Sequence, residues 1–220
     1  MSAFLALAAG VAAAPSAPAS PTPAASASHA PALLDPASDP LFRRMVALNA
    51  SLATYRAHVH LDVALHSFPF ISSAFDGSVY YKRPDKYAVD FDTVPALAAE
   101  FKKVYPHLDP PSLWPTLYDM ATLSDQAGTS TLRLVPKKNG RVDHLDVEVD
   151  DATATIRRYT WTYKDGGDIG FTQTFSDQGG KFLPATQLGT VDLPAYKASL
   201  VAHFSAYRLN VALADSLFAQ

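Results

Sequence analysis

The sequence predicts an α+β protein that is mainly β: an open half-barrel of curved antiparallel sheet with helices covering its concave apolar face. About eight or nine segments alternate apolar and polar residues with a period of two, as strands with one solvated face do. Helical patterns are confined to residues 40–54 and 94–124, which is enough to cover one curved sheet. A closed barrel filled by its own side chains fits the same pattern, but the open form leaves an apolar cleft suited to a long hydrophobic ligand.

The chain divides into a leader, a linker and one domain. Residues 1–14 resemble a signal peptide, because an apolar run is followed by small residues, although no Lys or Arg precedes it. A disordered Ala-rich leader is the alternative. Residues 15–38 are rich in Ala, Pro and Ser and predict a linker, and residues 39–220 form a single domain. We therefore expect a soluble periplasmic or secreted protein.

Composition excludes several classes of function. The net charge is −3 and the basic residues are scattered, so nucleic acid is not an expected partner. The absence of cysteine removes disulfides, thiolate metal sites, cysteine nucleophiles and a lipid anchor on cysteine. The sequence has no glycine-rich phosphate loop, G-x-S-x-G elbow or H-E-x-x-H motif. We expect a monomer without cofactor or enzymatic activity.

The predicted domain begins with a helix. Asp39 is a favoured N-cap residue, and Pro40 suits the first helical position. Apolar residues then recur at helical spacing and predict an amphipathic helix over residues 40–54: Leu41, Met45, Leu48, Leu52 and Tyr55.

From Tyr55 the period changes to two, and three strands follow in a meander with a tight turn at Arg83, Pro84 and Asp85. Two short helices in residues 94–124 then predict a lid, and strands resume at Thr131. The inward-facing residues of the sheet predict a lipid-binding surface: Val59, Leu61, Val63, Leu65, Phe75, Val79, Tyr81, Tyr87, Val89, Phe91, Trp161, Tyr163, Phe171 and Phe175. The apolar residues predicted for the lid are Leu97, Phe101, Val104, Trp114 and Leu117.

A group of histidines on the first strand offers a different hypothesis. His58 and His60 share one face, with Cα atoms roughly 6.5–7 Å apart, a spacing that can converge on zinc. Asp62 could add an oxygen, whereas His66 lies about 20 Å from His60 along the strand and is out of reach. A metal-dependent enzyme is therefore an alternative. We favour the interpretation of these side chains as the solvated face of the strand, with no metal site.

Three segments carry a likeness to a known family. Residues 48–65 combine the end of an amphipathic helix, an aromatic junction and a strand. Residues 77–91, GSVYYKRPDKYAVDF, contain a glycine, an aromatic strand, a basic Arg-Pro turn and a second aromatic strand. Residues 204–218, FSAYRLNVALADSLF, contain a closing strand, an asparagine and an Asp-Ser tail. In this order the chain resembles the LolA-like periplasmic carriers of the outer-membrane lipoprotein-sorting family over most of residues 40–218.

The resemblance implies a half-barrel whose concave face takes up acyl chains of lipoproteins or free lipid without chemistry. Arg83 aligns with the family's turn arginine, and we assign it a structural role. The chain departs from the family in its longer, helical segment 94–130 and in Ala88 and Val89, which replace an aromatic residue. The same fold also serves sensor modules, so an envelope protein is the alternative partner.

Overall fold

The computed structural model describes residues 32–67, 70–92, 108–126 and 128–218. The signal-peptide-like segment and the linker up to residue 31 lie outside these ranges. The predicted lid residues Leu97, Phe101 and Val104 also lie outside the described residues.

One antiparallel sheet accounts for most of the described chain, as the alternating patterns predict. Its eleven described strands are β1 Ala32–Leu33, β2 Thr54–Leu65, β3 Ser72–Lys82, β4 Lys86–Phe91, β5 Tyr118–Gln126, β6 Thr129–Pro136, β7 Val142–Asp150, β8 Thr155–Tyr163, β9 Asp168–Asp177, β10 Phe182–Leu193 and β11 Tyr196–Leu209. Their spatial order is β1-β5-β6-β7-β8-β9-β10-β11-β2-β3-β4, so the sheet is curled and open between β1 and β4. The predicted mainly-β half-barrel is confirmed.

The helix α1 spans Pro40–Ala47 and starts as predicted, because the Asp39 carboxylate accepts a hydrogen bond from the Phe42 N–H at 2.7 Å. The predicted extension to residue 54 is wrong. Leu48 leaves the helical region, and Asn49 adopts a left-handed backbone with φ of 57°. Asparagine is one of the few residues that adopt this conformation readily, so it ends the helix.

The second helical region is also shorter than predicted. A 3₁₀ turn at Pro111–Leu113 leads into α2, Trp114–Leu117, and Tyr118 then begins β5. β5 pairs with β6, placing Met120 opposite Leu134. Nearby, Ala32 and Leu33 pair with β5, although the sequence places them in the linker. Long-range pairing with β6 overrides the local helical pattern after Leu117.

The two short helices cover one half of the concave face. Phe42 of α1 and Trp114 of α2 contact each other with ring centroids 6.2 Å apart. Beneath them is a buried core from β6 to β9 that includes Leu134, Val147 and Phe171. A second, smaller cluster lies on β2, β3 and β11, where Ala57, Val59, Val79 and Ala202 are buried. None of the helices described here is long and apolar enough to cross a membrane.

A candidate ligand cavity

A cavity of about 530 Å³ opens at one end of the sheet, between α1 and the concave face. The start of β2, the end of β3, the start of β8, the end of β9 and the start of β10 meet there, because neighbouring antiparallel strands bring alternate termini to one end. The volume lies within the range of small-molecule sites. The lining is mostly apolar, with Met45, Val46, Leu48, Leu52, Ile156, Phe175, Leu183 and Pro184 among its members.

The loop after α1 forms one wall of the cavity and is fixed to β10. The Asn49 side-chain amide donates to the Phe182 carbonyl at 2.8 Å and accepts from the Phe182 N–H at 3.0 Å. The Asn49 amide thus bonds to the backbone of β10 as a neighbouring strand would, and this holds the loop against the sheet. Leu48 and Leu52, on either side of Asn49, both line the cavity.

Pro110, Pro111 and Ser112 form another part of the wall. The preceding Asp109 is held by two hydrogen bonds: the Trp114 indole N–H donates to its backbone carbonyl at 2.7 Å, and the Tyr118 hydroxyl donates to its carboxylate at 3.1 Å. Burial, together with the nearby Asp109 charge, raises the pKa of Tyr118 to about 12. The phenol is therefore a neutral donor at physiological pH, and it fixes the position of the wall.

Aromatic side chains close the cavity toward β2, β3 and β11. Tyr55 stacks on Tyr81 with ring centroids 5.3 Å apart and meets Tyr207 edge-on at 5.5 Å. The Tyr207 hydroxyl donates to the Pro184 carbonyl at 2.6 Å, which ties β11 to the start of β10. Burial raises the pKa of both Tyr55 and Tyr207, so the cluster stays uncharged at physiological pH.

Arg83 also lines the cavity, from the turn between β3 and β4. Its backbone N–H donates to the Ala53 carbonyl at 2.9 Å, which fixes the turn beside the start of β2. Because this contact is made by the backbone, the structural role assigned to Arg83 from the sequence stays a prediction.

The predicted lipid-binding residues fall into several groups. Tyr81 and Phe175 line the cavity. A second group lies together on β2, β3 and β4: Val59, Leu61, Phe75, Val79, Val89 and Phe91. A third belongs to the core beneath the helices: Trp161, Tyr163 and Phe171. Of the remaining three, Val63 and Leu65 are half-buried toward the far end of β2, and Tyr87 lies opposite Tyr81 on β4 with its side chain partly exposed.

The two predicted lid residues that are described lie on α2. Trp114 is fully buried in the core beneath the helices, and Leu117 is half-buried at the end of α2. Trp114 thus helps to cover the concave face from the side of β6 and β7.

The cavity depends on several residues that sequence reasoning did not select. Met45 and Leu48 were identified only as part of the apolar face of a helix, and Gln173 was not among the predicted site residues. The available signal was the polar Gln173 between Phe171 and Phe175 on an otherwise apolar face. Its neighbours in space come from β8 and β10, which sequence spacing does not reveal.

The predicted histidine pair lies on the convex face, away from the cavity. The Asp76 carboxylate is 2.9 Å from His60 Nδ1 and 3.4 Å from His58 Nε2, and Asp62 is 3.6 Å from His60 Nε2. The hydrogen bond to Asp76 raises the pKa of His60. No group of three metal-ligating side chains arranged to hold an ion is found in the described residues.

Comparison with known proteins gives matches in structure only. No family profile matches the sequence, and no curated protein matches it. A DUF1329 family protein from Desulfovibrio piger superposes with a TM-score of 0.62 at 13% identity, covering 81% of this chain and 95% of that one. A LolA superfamily protein from Nitrosomonas europaea gives a TM-score of 0.58 at 12% identity, covering 82% and 96%.

A third structure is similar over a comparable length. An outer-membrane lipoprotein-sorting protein domain from Vibrio parahaemolyticus gives a TM-score of 0.56 at 12% identity, covering 76% of this chain and 89% of that one. At identities this low, the likeness is evidence of the fold alone.

Proposed function

Because the chain has a LolA-like fold, we propose that it is a non-enzymatic periplasmic carrier that binds the acyl chains of lipoproteins or other lipids. The observation that carries this proposal is the apolar cavity of about 530 Å³ between α1 and the concave face. The structure neighbours described as LolA superfamily and lipoprotein-sorting proteins share the sheet that forms its floor. The signal-peptide-like start of the sequence supports the proposed location.

The lining of the cavity suits a hydrocarbon chain. Each methylene transferred from water to apolar surroundings contributes about 0.8 kcal/mol, so ten methylenes contribute about 8 kcal/mol. That is comparable with the cost of immobilising a ligand, estimated at roughly 4–15 kcal/mol. Long acyl chains are therefore retained and short ones are not. Carriage of this kind requires no bond to form or break.

Direct binding tests the proposal. Delipidated protein is titrated with a fluorescent fatty acid and with a lipopeptide, and we expect saturable binding at micromolar concentration or better. Phe175 lines the cavity, so Phe175→Gln removes apolar contact and should weaken binding about tenfold, equivalent to about 1.4 kcal/mol. Leu188→Gln is the matched control, since Leu188 lies on the neighbouring strand β10 but is 50% exposed and outside the cavity lining.

The outcomes separate the alternatives. No saturable uptake by the wild-type protein would contradict the carrier function, and isolation of a protein partner without lipid would support an envelope sensor or interaction module. Equal weakening by Phe175→Gln and Leu188→Gln would indicate adsorption to the surface. Native mass spectrometry of protein purified from its own envelope identifies the bound lipid.

A further inference from the structure

Gln173 places a primary amide in the wall of the mostly apolar cavity. It lies on β9 two residues from Phe171 and two from Phe175, and it faces the concave side because β9 pairs with β10 in the register Gln173 opposite Gln187. Small-molecule sites of this kind are mostly apolar and contain a few polar groups that fix the orientation of the ligand.

A short hydrogen-bonded chain positions the Gln173 amide. Gln173 Nε2 donates to the Ile156 carbonyl at 2.6 Å. Gln187 donates through Nε2 to the Tyr159 hydroxyl, and the same nitrogen is 3.5 Å from Gln173 Oε1. The Gln173 side chain is therefore oriented by groups on β8 and β10, on either side of its own strand.

The contact with Ile156 has a structural cause. β8 and β9 pair only as far as Arg158 opposite Thr172, so the Ile156 carbonyl lies beyond the backbone ladder between these strands. The side chain of Gln173 supplies the hydrogen-bond donor that the backbone of β9 does not supply. This uses one of the two Nε2 protons, and within the described residues the second has no hydrogen-bond acceptor.

Asn49 provides the contrast within the same lining. Both ends of its amide are bonded to the backbone of Phe182, at 2.8 and 3.0 Å. Each of the two side-chain amides that line the cavity donates one N–H to a backbone carbonyl, but Asn49 is bonded at both ends to the peptide unit of Phe182, whereas Gln173 is bonded to the main chain through its amino group alone. Gln173 is half-buried, so an amide proton left without an acceptor costs free energy once a ligand displaces water from it, and a ligand carbonyl offers that acceptor.

We propose that Gln173 binds the carbonyl oxygen of the ester or amide linkage of an acylated ligand, by donating its second Nε2 proton. This inference rests on the proposed function and makes it more specific: the cavity selects acyl esters and acyl amides over hydrocarbon chains that lack a carbonyl. The apolar wall contacts the acyl chain of the ligand, and Gln173 hydrogen-bonds to the carbonyl of its ester or amide linkage.

A pair of neutral lipids tests the inference, because they differ only at the carbonyl. Palmitoylglycerol carries an ester, and the matching hexadecylglycerol ether lacks the carbonyl oxygen. Each competes with a bound fluorescent fatty acid below its aggregation concentration. We expect the wild-type protein to bind the ester about fivefold to tenfold more tightly than the ether, as one net hydrogen bond provides.

Variants of Gln173 then assign the preference to its amide. Gln173→Met keeps a side chain of similar length without polar hydrogen, and should bind ester and ether equally. Gln173→Glu replaces the donor with an acceptor and should bind the ester more weakly than the ether. The control is Gln178→Met, because Gln178 donates to the Ser176 hydroxyl outside the cavity and should leave the ratio unchanged. Thermal unfolding establishes that each variant is folded.

The outcomes distinguish this inference from the function on which it rests. If the wild-type protein binds neither lipid, the carrier function fails. If it binds both, and the ester-to-ether ratio is the same in the wild type and in folded Gln173→Met or Gln173→Glu, the carrier function stands and the role of Gln173 is wrong.

Discussion

Asn49 and Phe182, 133 residues apart in sequence, are joined by two hydrogen bonds between one side-chain amide and one peptide unit. The contact ties the end of α1 to the first residue of β10, and both residues line the proposed ligand cavity. Asn49 also holds a left-handed backbone, with φ of 57°. One residue thus ends the helix, anchors the loop and forms a wall of the cavity.

Replacing Asn49 should destabilise the protein through both roles. Asn49→Ala loses two hydrogen bonds, about 1 kcal/mol each, and puts in the left-handed region a residue that tolerates it less well than asparagine, at a further cost of up to roughly 1–2 kcal/mol. Asn49→Gly loses the hydrogen bonds without that strain. We expect urea unfolding to rank the wild type above Asn49→Gly and Asn49→Gly above Asn49→Ala. Equal stability of the two variants would show that the left-handed backbone carries no cost here.

Gly77 should tolerate no side chain. A β-carbon on Gly77 would overlap the Asp90 carbonyl oxygen and lie 2.9 Å from the Phe91 Cα, both backbone atoms of β4. Gly77→Ala must therefore push β4 away from β3, and we expect a loss of several kcal/mol in the free energy of unfolding, measured by chemical denaturation. Gly140→Ala is the control, because a β-carbon there meets nothing within 4 Å. Similar stability of the two variants would contradict the close approach.

The raised pKa of His60 predicts a stability that depends on pH. The hydrogen bond to Asp76 is the main cause, and Asp62 adds a smaller electrostatic contribution. Because the pKa is higher in the folded state, protonation of His60 stabilises the fold below its unfolded pKa, and this contribution is lost as pH rises through the folded value.

NMR titration of the His60 ring should show the elevation directly. Asp76→Asn should lower the pKa of His60 more than Asp62→Asn does, since Asp76 is at 2.9 Å from the ring and Asp62 at 3.6 Å. If the pKa of His60 is the same in Asp76→Asn as in the wild type, the hydrogen bond to Asp76 is not the cause of its elevation.

The C-terminal turn should detach at acid pH. Asp215 accepts hydrogen bonds from the ammonium groups of Lys82 at 3.0 Å and Lys86 at 2.9 Å, which lie at the ends of β3 and β4. These contacts hold the pKa of Asp215 below its usual value. The stabilisation is therefore present above the unfolded pKa and is lost as pH falls through the folded value.

Amide hydrogen exchange in the turn Asp215–Phe218 measures this attachment. Asp215→Asn should increase exchange there at neutral pH, as acid should in the wild type. Asp192→Asn removes another exposed ion pair, with Lys197 at 2.8 Å, and should leave the turn protected. The same protection in Asp215→Asn as in the wild type would mean that other contacts hold the turn.

Much of the fold could be predicted from local patterns in the sequence. The period of two located most strands, because an antiparallel strand with one solvated face alternates its residues. Asp39 and Pro40 marked the start of α1 for reasons that act within one helical turn. The end of α1 and strand β5 were missed, because they depend on Asn49 reaching Phe182 and on Tyr118–Gln126 pairing with β6.

The sequence by itself determined that this protein is a mainly antiparallel sheet with one apolar face, since side-chain alternation and capping are local properties of the chain, but the same alternation also fitted a closed barrel. Only the tertiary structure decided which part of that face is packed into the core and which part lines the cavity. Trp161 and Phe171 fill a core beneath α1 and α2, whereas Phe175, two residues beyond Phe171, lines a cavity with Gln173. The residues share one period and one face, and they differ only in what long-range packing places over them.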